Sequence, residues 1–383
     1  MDNTTAIRSI TTFEELETIR AFWQRQQHHP NTDLELFELI CSNRPEVISP
    51  VAFVIERDAK LFSLLIARLE RSNFTPSVGY FKPFKIPVIA LRVLHEGLIG
   101  DENETVSAEL VSYLLSFLKS KQVDAITFHH FREDSSLVKA LLNGGKQFWF
   151  NNRPNWSVHR SMTIGSEAGF LLSAMKPKHR SWIRKKGRDL DSASENQTVW
   201  HWLSKFEDLD KLCAEMENVA ALSYQRGLGA GFVNDEEHRK RLALFSDRGQ
   251  LRIQLLVVKG NVKAYWMGIV YRNVFHSWAT SYDSELSKYE PGTQLFLRLT
   301  DELVKEGVNK LDFGLGDAHY KKRFGDNSWR EASFTLYAPT FKGYLIGAIM
   351  GIFDIIDKTV RKVVAKIKLE DLIKTKWRHH IQK

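Results

Sequence analysis

The stretch LDFGLGDAHYKKRFG, Leu311 to Gly325, gathers two carboxylates, a phenol and an amine: Asp312, Asp317, Tyr320 and Lys321. A carboxylate can take a proton from a hydroxyl or an amine, or hold that group in place, and a tyrosine can give a proton back. A lysine can hold a phosphate or a carboxylate. Upstream, KYEPGTQL places Tyr289, Glu290, Pro291, Gly292, Thr293 and Gln294 at the start of an amphipathic helix. Proline suits a first helical turn because its missing N–H has no partner there anyway. Glycine lets a ligand approach the backbone. Exposed N–H groups and the helix dipole then form an anion site suited to a pyrophosphate. Tyr282 and Asp283 lie just before this helix, and His276 lies on the strand before that. A third group, Arg180, Arg184 and Lys185 with Lys186 and Arg188, sits in MKPKHRSWIRKKGR.

Each group also has a plainer reading. Pro-Gly ahead of a helix is often only a turn, and Glu290 would oppose an anion if it pointed inward. Asp312 alternates with Leu311 and Phe313, as the polar face of a strand would. Asp317 suits a turn that caps its own backbone. Tyr320 could only pack, Lys321 could belong to a solvated basic face, and His276 beside Trp278 reads as a core histidine. The Arg/Lys cluster could be a solvated helix face. His129 and His130, and again His379 and His380, do not have metal-ligand spacing, so no metal is expected.

The elements that must carry these residues occur twice. In the later half, Leu251–Val258 and Val262–Tyr271 read as a hairpin turned by Lys259-Gly260-Asn261. VFHSWATSYD reads as a further strand. Leu295, Leu299, Leu303 and Val304 have helical spacing, Gly307 ends that helix, and VNKLDFGL returns as a strand. In the earlier half, Val51–Glu70 is a hairpin turning near Asp58. PVIALRVL is a strand, Glu104–Ser120 a helix with Val106, Leu110, Leu114 and Phe117 on one face, and KQVDAITF a strand. QVDAITF aligns with GVNKLDF without a gap, which matches Thr127 to Asp312. The earlier helix opens with Asp101, Glu102, Asn103 and Glu104, which cap well and repel phosphate. The expectation is an α/β (α+β) chain of two duplicated units. Residues 1–165 form the scaffolding unit, 166–340 the working unit, and 341–383 a basic helical tail.

Composition supports a folded chain. Of 383 residues, 43% are hydrophobic and 26% charged, enough for two cores. Two cysteines, Cys41 and Cys213, make neither a disulfide framework nor a zinc site and point to a reducing compartment. The N-terminus lacks a signal-peptide pattern, and no apolar run is long enough to span a bilayer, so a cytoplasmic location is expected. The formal net charge is +8, of which the tail from Phe341 onward carries +6. In that tail Leu345, Ile349, Ile352, Ile356, Val360, Val363 and Ile367 follow helical spacing. The tail therefore either docks on the protein or lies on an anionic membrane face. No groove-reading motif accompanies the basic clusters, so a specific nucleic acid is not expected.

Four stretches carry a family resemblance: MKPKHRSWIRKKGRDL, LSYQRGLGAGFVNDEEHRKRLALFSDRGQLRIQLL, SYDSELSKYEPGTQL and LDFGLGDAHYKKRFG. Together they resemble the GNAT-like acetyltransferases of cellulose and exopolysaccharide synthesis, the CelD/BcsL type, over Met175 to about Pro339. The architecture is also similar to the double-GNAT, FemAB-type transferases, which use aminoacyl-tRNA in building peptidoglycan cross-bridges. This chain departs from the superfamily in one respect: the usual Gln/Arg-x-x-Gly-x-Gly/Ala loop is absent, and YEPGTQL offers one glycine.

The resemblance implies two tandem GNAT-like units and an acyl-CoA donor, acetyl-CoA foremost. The implied acceptor is a hydroxyl or amine of a sugar, polysaccharide or cell-envelope precursor. Tyr289, Pro291, Gly292, Thr293 and Gln294 would hold the donor and Tyr282 and Asp283 the substrate, while Arg180, Arg184 and Lys185, placed with the substrate, could instead clamp the CoA phosphates, a lipid-linked sugar phosphate or tRNA. Asp312 or Asp317 would be the base or position the acceptor, Tyr320 the acid, and Lys321 the partner of a substrate anion. Two other readings stand beside it: aminoacyl transfer from charged tRNA, and a non-catalytic double-GNAT module that binds a polysaccharide-assembly partner.

Overall fold

Two turns, Asp58-Ala59 and Lys259-Gly260, close the same hairpin in two places. All four residues have φ between 48° and 77°, the left-handed geometry that matches a tight hairpin to the twist of its strands. A computed structural model describes residues 5–120, 123–144, 154–223, 226 and 231–366. Its strands are β1 (Thr5–Ile10), β2 (Val47–Arg57), β3 (Lys60–Phe74), β4 (Ile86–Gly100), β5 (Ala125–Arg132) and β6 (Asn155–Thr163). They continue with β7 (Thr198–Leu203), β8 (Leu251–Val258), β9 (Asn261–Tyr271), β10 (Val274–Tyr282), β11 (Lys310–Asp312) and β12 (Asn327–Tyr337). Several sequence expectations lie outside the described residues: Gln122, the glycines of Gly227–Ala230, Ile367 and the rest of the tail, and His379 with His380.

The chain divides into two compact units. One holds the described residues up to Val158 together with those from Trp329 onward, and the other holds His159–Ser328. In the first unit, β1, β2, β3 and β4 pair antiparallel in order, β5 pairs parallel to β4, and β12 pairs antiparallel to β5. In the second, β7, β8, β9 and β10 pair antiparallel, β11 pairs parallel to β10, and β6 pairs antiparallel to β11. A parallel pair needs a crossover. The helices Glu104–Ser120 and Pro291–Lys305 supply it, one in each unit. The expected α/β fold, with mixed, mostly antiparallel strands flanked by helices in each unit, is the observed one.

The sixth strand of each unit comes from elsewhere in the chain. β6 directly follows the first unit's run of elements, yet its residues Ser161–Thr163 pair with β11. β12 follows the second unit, yet pairs with β5.

Burial follows from side-chain alternation. In β2 and β3, Phe53, Ile55, Leu65 and Ala67 face the helix Glu104–Ser120 through Leu110 and Leu114. The intervening Ala52, Val54, Leu64 and Ile66 face Trp23 and Phe37. These strands are thus covered on both faces, which explains their nearly continuous apolar sequence. In the second unit the Pro291–Lys305 helix buries Phe296, Leu299 and Leu303 against Trp266, Phe275 and Leu311. Each such side chain contributes roughly 2 kcal/mol by leaving water. Asn103 caps the first crossover helix, its Oδ1 accepting from the Val106 N–H at 2.9 Å. Gly307, with φ of 72°, ends the second.

The tail forms a helix over Phe341–Lys366. Ile346 and Met350 pack it against Phe74, Ile86, Val88 and Tyr337 of the first unit.

Candidate active site

β11 is three residues long, shorter than the VNKLDFGL strand that the sequence suggests. It stops because the chain turns at Gly314, where φ is 69°. A Cβ there would lie 3.2 Å from the Ser277 carbonyl oxygen, so the turn needs a glycine. β10 pairs with β11 only from Val274 to His276 and then runs on to Tyr282 beside β9. The two parallel strands therefore part after the His276–Asp312 pair. At the same point β10 bulges against β9, between Ser277 and Ala279. A bulge leaves its extra residue, here Trp278, without a ladder partner and re-aims the strand.

Asp312 sits at this fork and is 8% exposed. Its Oδ1 accepts from His159 Nε2 at 2.6 Å and from the Gly314 N–H at 2.7 Å. His276 Nδ1 lies 4.0 Å from Oδ2. Burial alone would raise the Asp312 pKa. The His159 hydrogen bond, the charges of His159 and His276 and the Gly314 amide outweigh burial and hold the carboxyl below its ordinary value. Asp312 is thus a buried carboxylate kept ionised by its neighbours.

His159 escaped the sequence reading, although it hydrogen-bonds Asp312 directly. Its only signal is alternation in NWSVHRSMT: Ser161 stands opposite Asp312, and His159 lies two residues along on the same face of β6. That signal cannot be used until β6 is known to pair with β11.

Lys321 is 5% exposed, on the short helix His319–Phe324. Its Nζ donates to the carbonyls of Gly314 and Leu315 at 3.0 and 2.5 Å. Burial pushes its pKa down to about 8, with Asp312 and Asp317 pulling the other way. The amine thus braces the turn that follows Asp312 and does not lie on the solvated basic face that YKKRFG suggests. Asp317 is exposed and paired with Arg160 at 2.7 Å and Lys322 at 3.0 Å. Those two partners hold its pKa down. Tyr320 is partly buried, its ring edge-on to Trp266 and Phe313.

The helix start is more occupied than its sequence suggests. Glu290 has φ 57° and ψ 47°, and its carboxylate accepts from the Thr293 hydroxyl at 3.2 Å. The Gln294 N–H bonds the Glu290 carbonyl, and its side-chain amide bonds the Tyr289 carbonyl at 3.1 Å. Gln294 packs inward, against Gly187 of the helix Pro177–Ala193; a Cβ on Gly187 would come within 3.0 Å of its oxygen. Because Pro291 has no N–H, Gly292 and Thr293 carry the amides that the helix itself leaves over. The Tyr282 ring stands beside Gly292, 3.7 Å from where a Cβ would be. Asp283 is buried and spent locally, accepting from the Glu285 N–H and from Lys263 Nζ at 2.8 Å. Arg184 and Lys185 are exposed on the Pro177–Ala193 helix, while Arg180 reaches the Ser173 carbonyl at 3.3 Å. The helix start thus offers two amides beside a tyrosine ring, with the Glu290 carboxylate as an opposing charge.

A parallel strand pair that splays beside a bulge, with a crossover helix starting at the fork, is the layout of the GNAT acyltransferase fold, here present twice. Residues 177–322 match the family model of the acetyltransferase (GNAT) domain. Among solved structures the chain is similar to FemX, at 11% identity and a TM-score of 0.54, over 89% of this chain and 100% of that one. It is also similar to the tandem GNAT protein from the clavulanic acid biosynthesis pathway, at 11% identity and a TM-score of 0.52, over 88% and 99%. At such identities the likeness is one of fold. Among curated proteins none matches.

Proposed function

We propose that the second unit is an acyltransferase that moves an acyl group from acyl-CoA to a hydroxyl or amine. The observation that carries this reading is the ionised, nearly buried Asp312 at the fork of β10 and β11, inside the stretch that matches the acetyltransferase domain. In this reading the acceptor O–H or N–H gives its proton to Asp312 as its heteroatom bonds the acyl carbon. The C–S bond then breaks, and the thiolate takes a proton from Tyr320. His159 keeps Asp312 ionised and oriented. Lys321 fixes the turn after it. Gly292 and Thr293 offer amides to the donor's pyrophosphate, with Arg184 and Lys185 as nearby cations. The resemblance of Met175–Pro339 to CelD/BcsL-type enzymes points to acetyl-CoA and to a sugar, polysaccharide or envelope-precursor acceptor.

The test measures free thiol released from acetyl-CoA in the presence of amino sugars and glucan oligosaccharides. Asp312→Asn should slow release by at least about a hundredfold, and Tyr320→Phe should lower it while leaving the ring packing intact. His159→Gln should shift the acidic limb of the pH–rate profile to higher pH, because Asp312 loses its main stabilising partner. If acetyl-CoA neither releases thiol nor shifts the melting temperature, the reading is overturned.

A second reading is favoured by the fold likeness to FemX and by the exposed cations of the Pro177–Ala193 helix: aminoacyl transfer from charged tRNA. A melting temperature that responds to tRNA and not to CoA would select it.

A further inference from the structure

The loop between β3 and β4 contains GYFKPFK, Gly79 to Lys85, a run that lies outside the candidate active site. All seven residues are exposed. Tyr80, Phe81 and Phe84 are 47%, 67% and 45% exposed, and none of the seven is acidic. A mutual backbone pair between Val78 and Phe81 holds the tip. The run is also fastened to the Phe341–Lys366 helix. The Gly79 N–H donates to Asp357 Oδ1 at 2.6 Å, and the Phe84 ring stands edge-on to Phe353 at 6.1 Å.

That helix has two apolar faces. Ile346 and Met350 pack on the first unit, as described above. Leu345, Ile352, Ile356 and Val363 form a separate stripe at helical spacing, each at least 42% exposed. Eleven of the nineteen large apolar side chains exposed among the described residues lie on this loop and this helix. So dense a concentration on one unit marks a surface built to be covered. The charges say by what. Lys82 and Lys85 alternate with the aromatic rings, and Lys342, Lys358, Arg361 and Lys362 line the helix, the first three ion-paired with Asp124, Asp354 and Asp357 but more than half exposed. Aromatic rings at the boundary between water and hydrocarbon, with lysines reaching to anionic headgroups, make a bilayer-surface motif. The helix would lie on the bilayer and not cross it, since no described helix is long and apolar enough to span one.

We propose that the GYFKPFK loop and the outer stripe of the Phe341–Lys366 helix together form a docking surface for an anionic lipid bilayer. The loop inserts its rings at the interface, and the helix lies alongside. This surface belongs to the first unit and is independent of the transferase reading.

The test is flotation of the full chain with vesicles of phosphatidylcholine alone, or with about 30% phosphatidylglycerol added. The parent should float with the anionic vesicles, remain behind with the neutral ones, and be released by about 0.5 M NaCl. Phe81→Ser with Phe84→Ser should weaken binding about tenfold or more, as should Lys82→Glu with Lys85→Glu. Circular dichroism and an unchanged melting temperature show that these loop variants fold. Equal binding to both kinds of vesicle, no binding to either, or undiminished binding by both variants overturns the proposal. So does a dimer in light scattering that the phenylalanine variant dissolves, because the surface would then be occupied by a second copy of the chain.

Discussion

The two units carry the same fork with different chemistry. β4 pairs with β5 from Ala90 to Val93 and then bulges against β3 between Val93 and Leu98, where Glu96 takes a φ of 57°. β10 pairs with β11 and bulges at the matching point. Thr127 stands opposite Arg92 and Thr335, where Asp312 stands opposite His276 and Ser161. Counting two residues along the partner strand puts Ser333 where the other unit has His159. The buried carboxylate–histidine pair of the second unit is thus a threonine and a serine in the first. The first unit is nonetheless polar nearby: Glu331, fully buried, accepts from Trp329 Nε1 at 2.8 Å and lies 3.4 Å from His130. Duplication therefore preserves the backbone device more strictly than the groups placed on it, because register is fixed by packing on both faces while a side chain at the fork is free to change.

The largest expected effect breaks the comparison at its centre. Asp312→Asn should lower kcat by about 10²–10⁴-fold, the usual worth of a positioned base, whereas Thr127→Val should leave turnover near the parent's. Equal losses would mean that the two forks work together. Next, Thr127→Asp should destabilise the protein by about 3–5 kcal/mol in urea denaturation, because it buries a carboxylate without a histidine. Adding Ser333→His should recover part of that loss, a coupling read from the double-mutant cycle.

A third effect appears in alkali. Lys321 gives up its proton near pH 8 in the folded protein and near 10.5 when unfolded. Between those values the unfolded chain holds more protons, so stability rises with pH, by about 3 kcal/mol at most. Lys321→Met should lack this rise in the difference between the two melting curves. The smallest effect has opposite signs in the two units. Glu290→Gly should add about 1 kcal/mol by relieving a left-handed non-glycine residue, and should lower KM for the donor. Glu104→Ala, at the start of the first crossover helix, should cost about 0.5 kcal/mol through the lost helix-dipole contact.

Much of this architecture is legible in the residues. The hairpins, both crossover helices and the match of Thr127 to Asp312 come directly from period-two and helical spacing and from turn chemistry. Asp312 is legible as a polar residue between Leu311 and Phe313. His159 is not, because its partner lies 153 residues away and is reached only through the pairing of β6 with β11. Lys321 is misleading for a related reason: YKKRFG looks like a solvated basic run, and only the turn at Gly314 brings two carbonyls to bury its amine. Asp283 and Gln294 look available to a ligand in sequence, yet local caps and helix packing consume them. Long-range pairing and the local use of polar groups are what a linear reading cannot supply.

The placement of β12 has a consequence during synthesis. β5 leaves the ribosome early, but the strand that covers its free edge begins near Asn327. At about 5–20 residues per second, that edge waits about 10–40 seconds for its cover. For that interval the nascent chain shows an apolar ladder of unpaired amides to the crowded cell, so chaperone demand should depend on translation speed between the two strands.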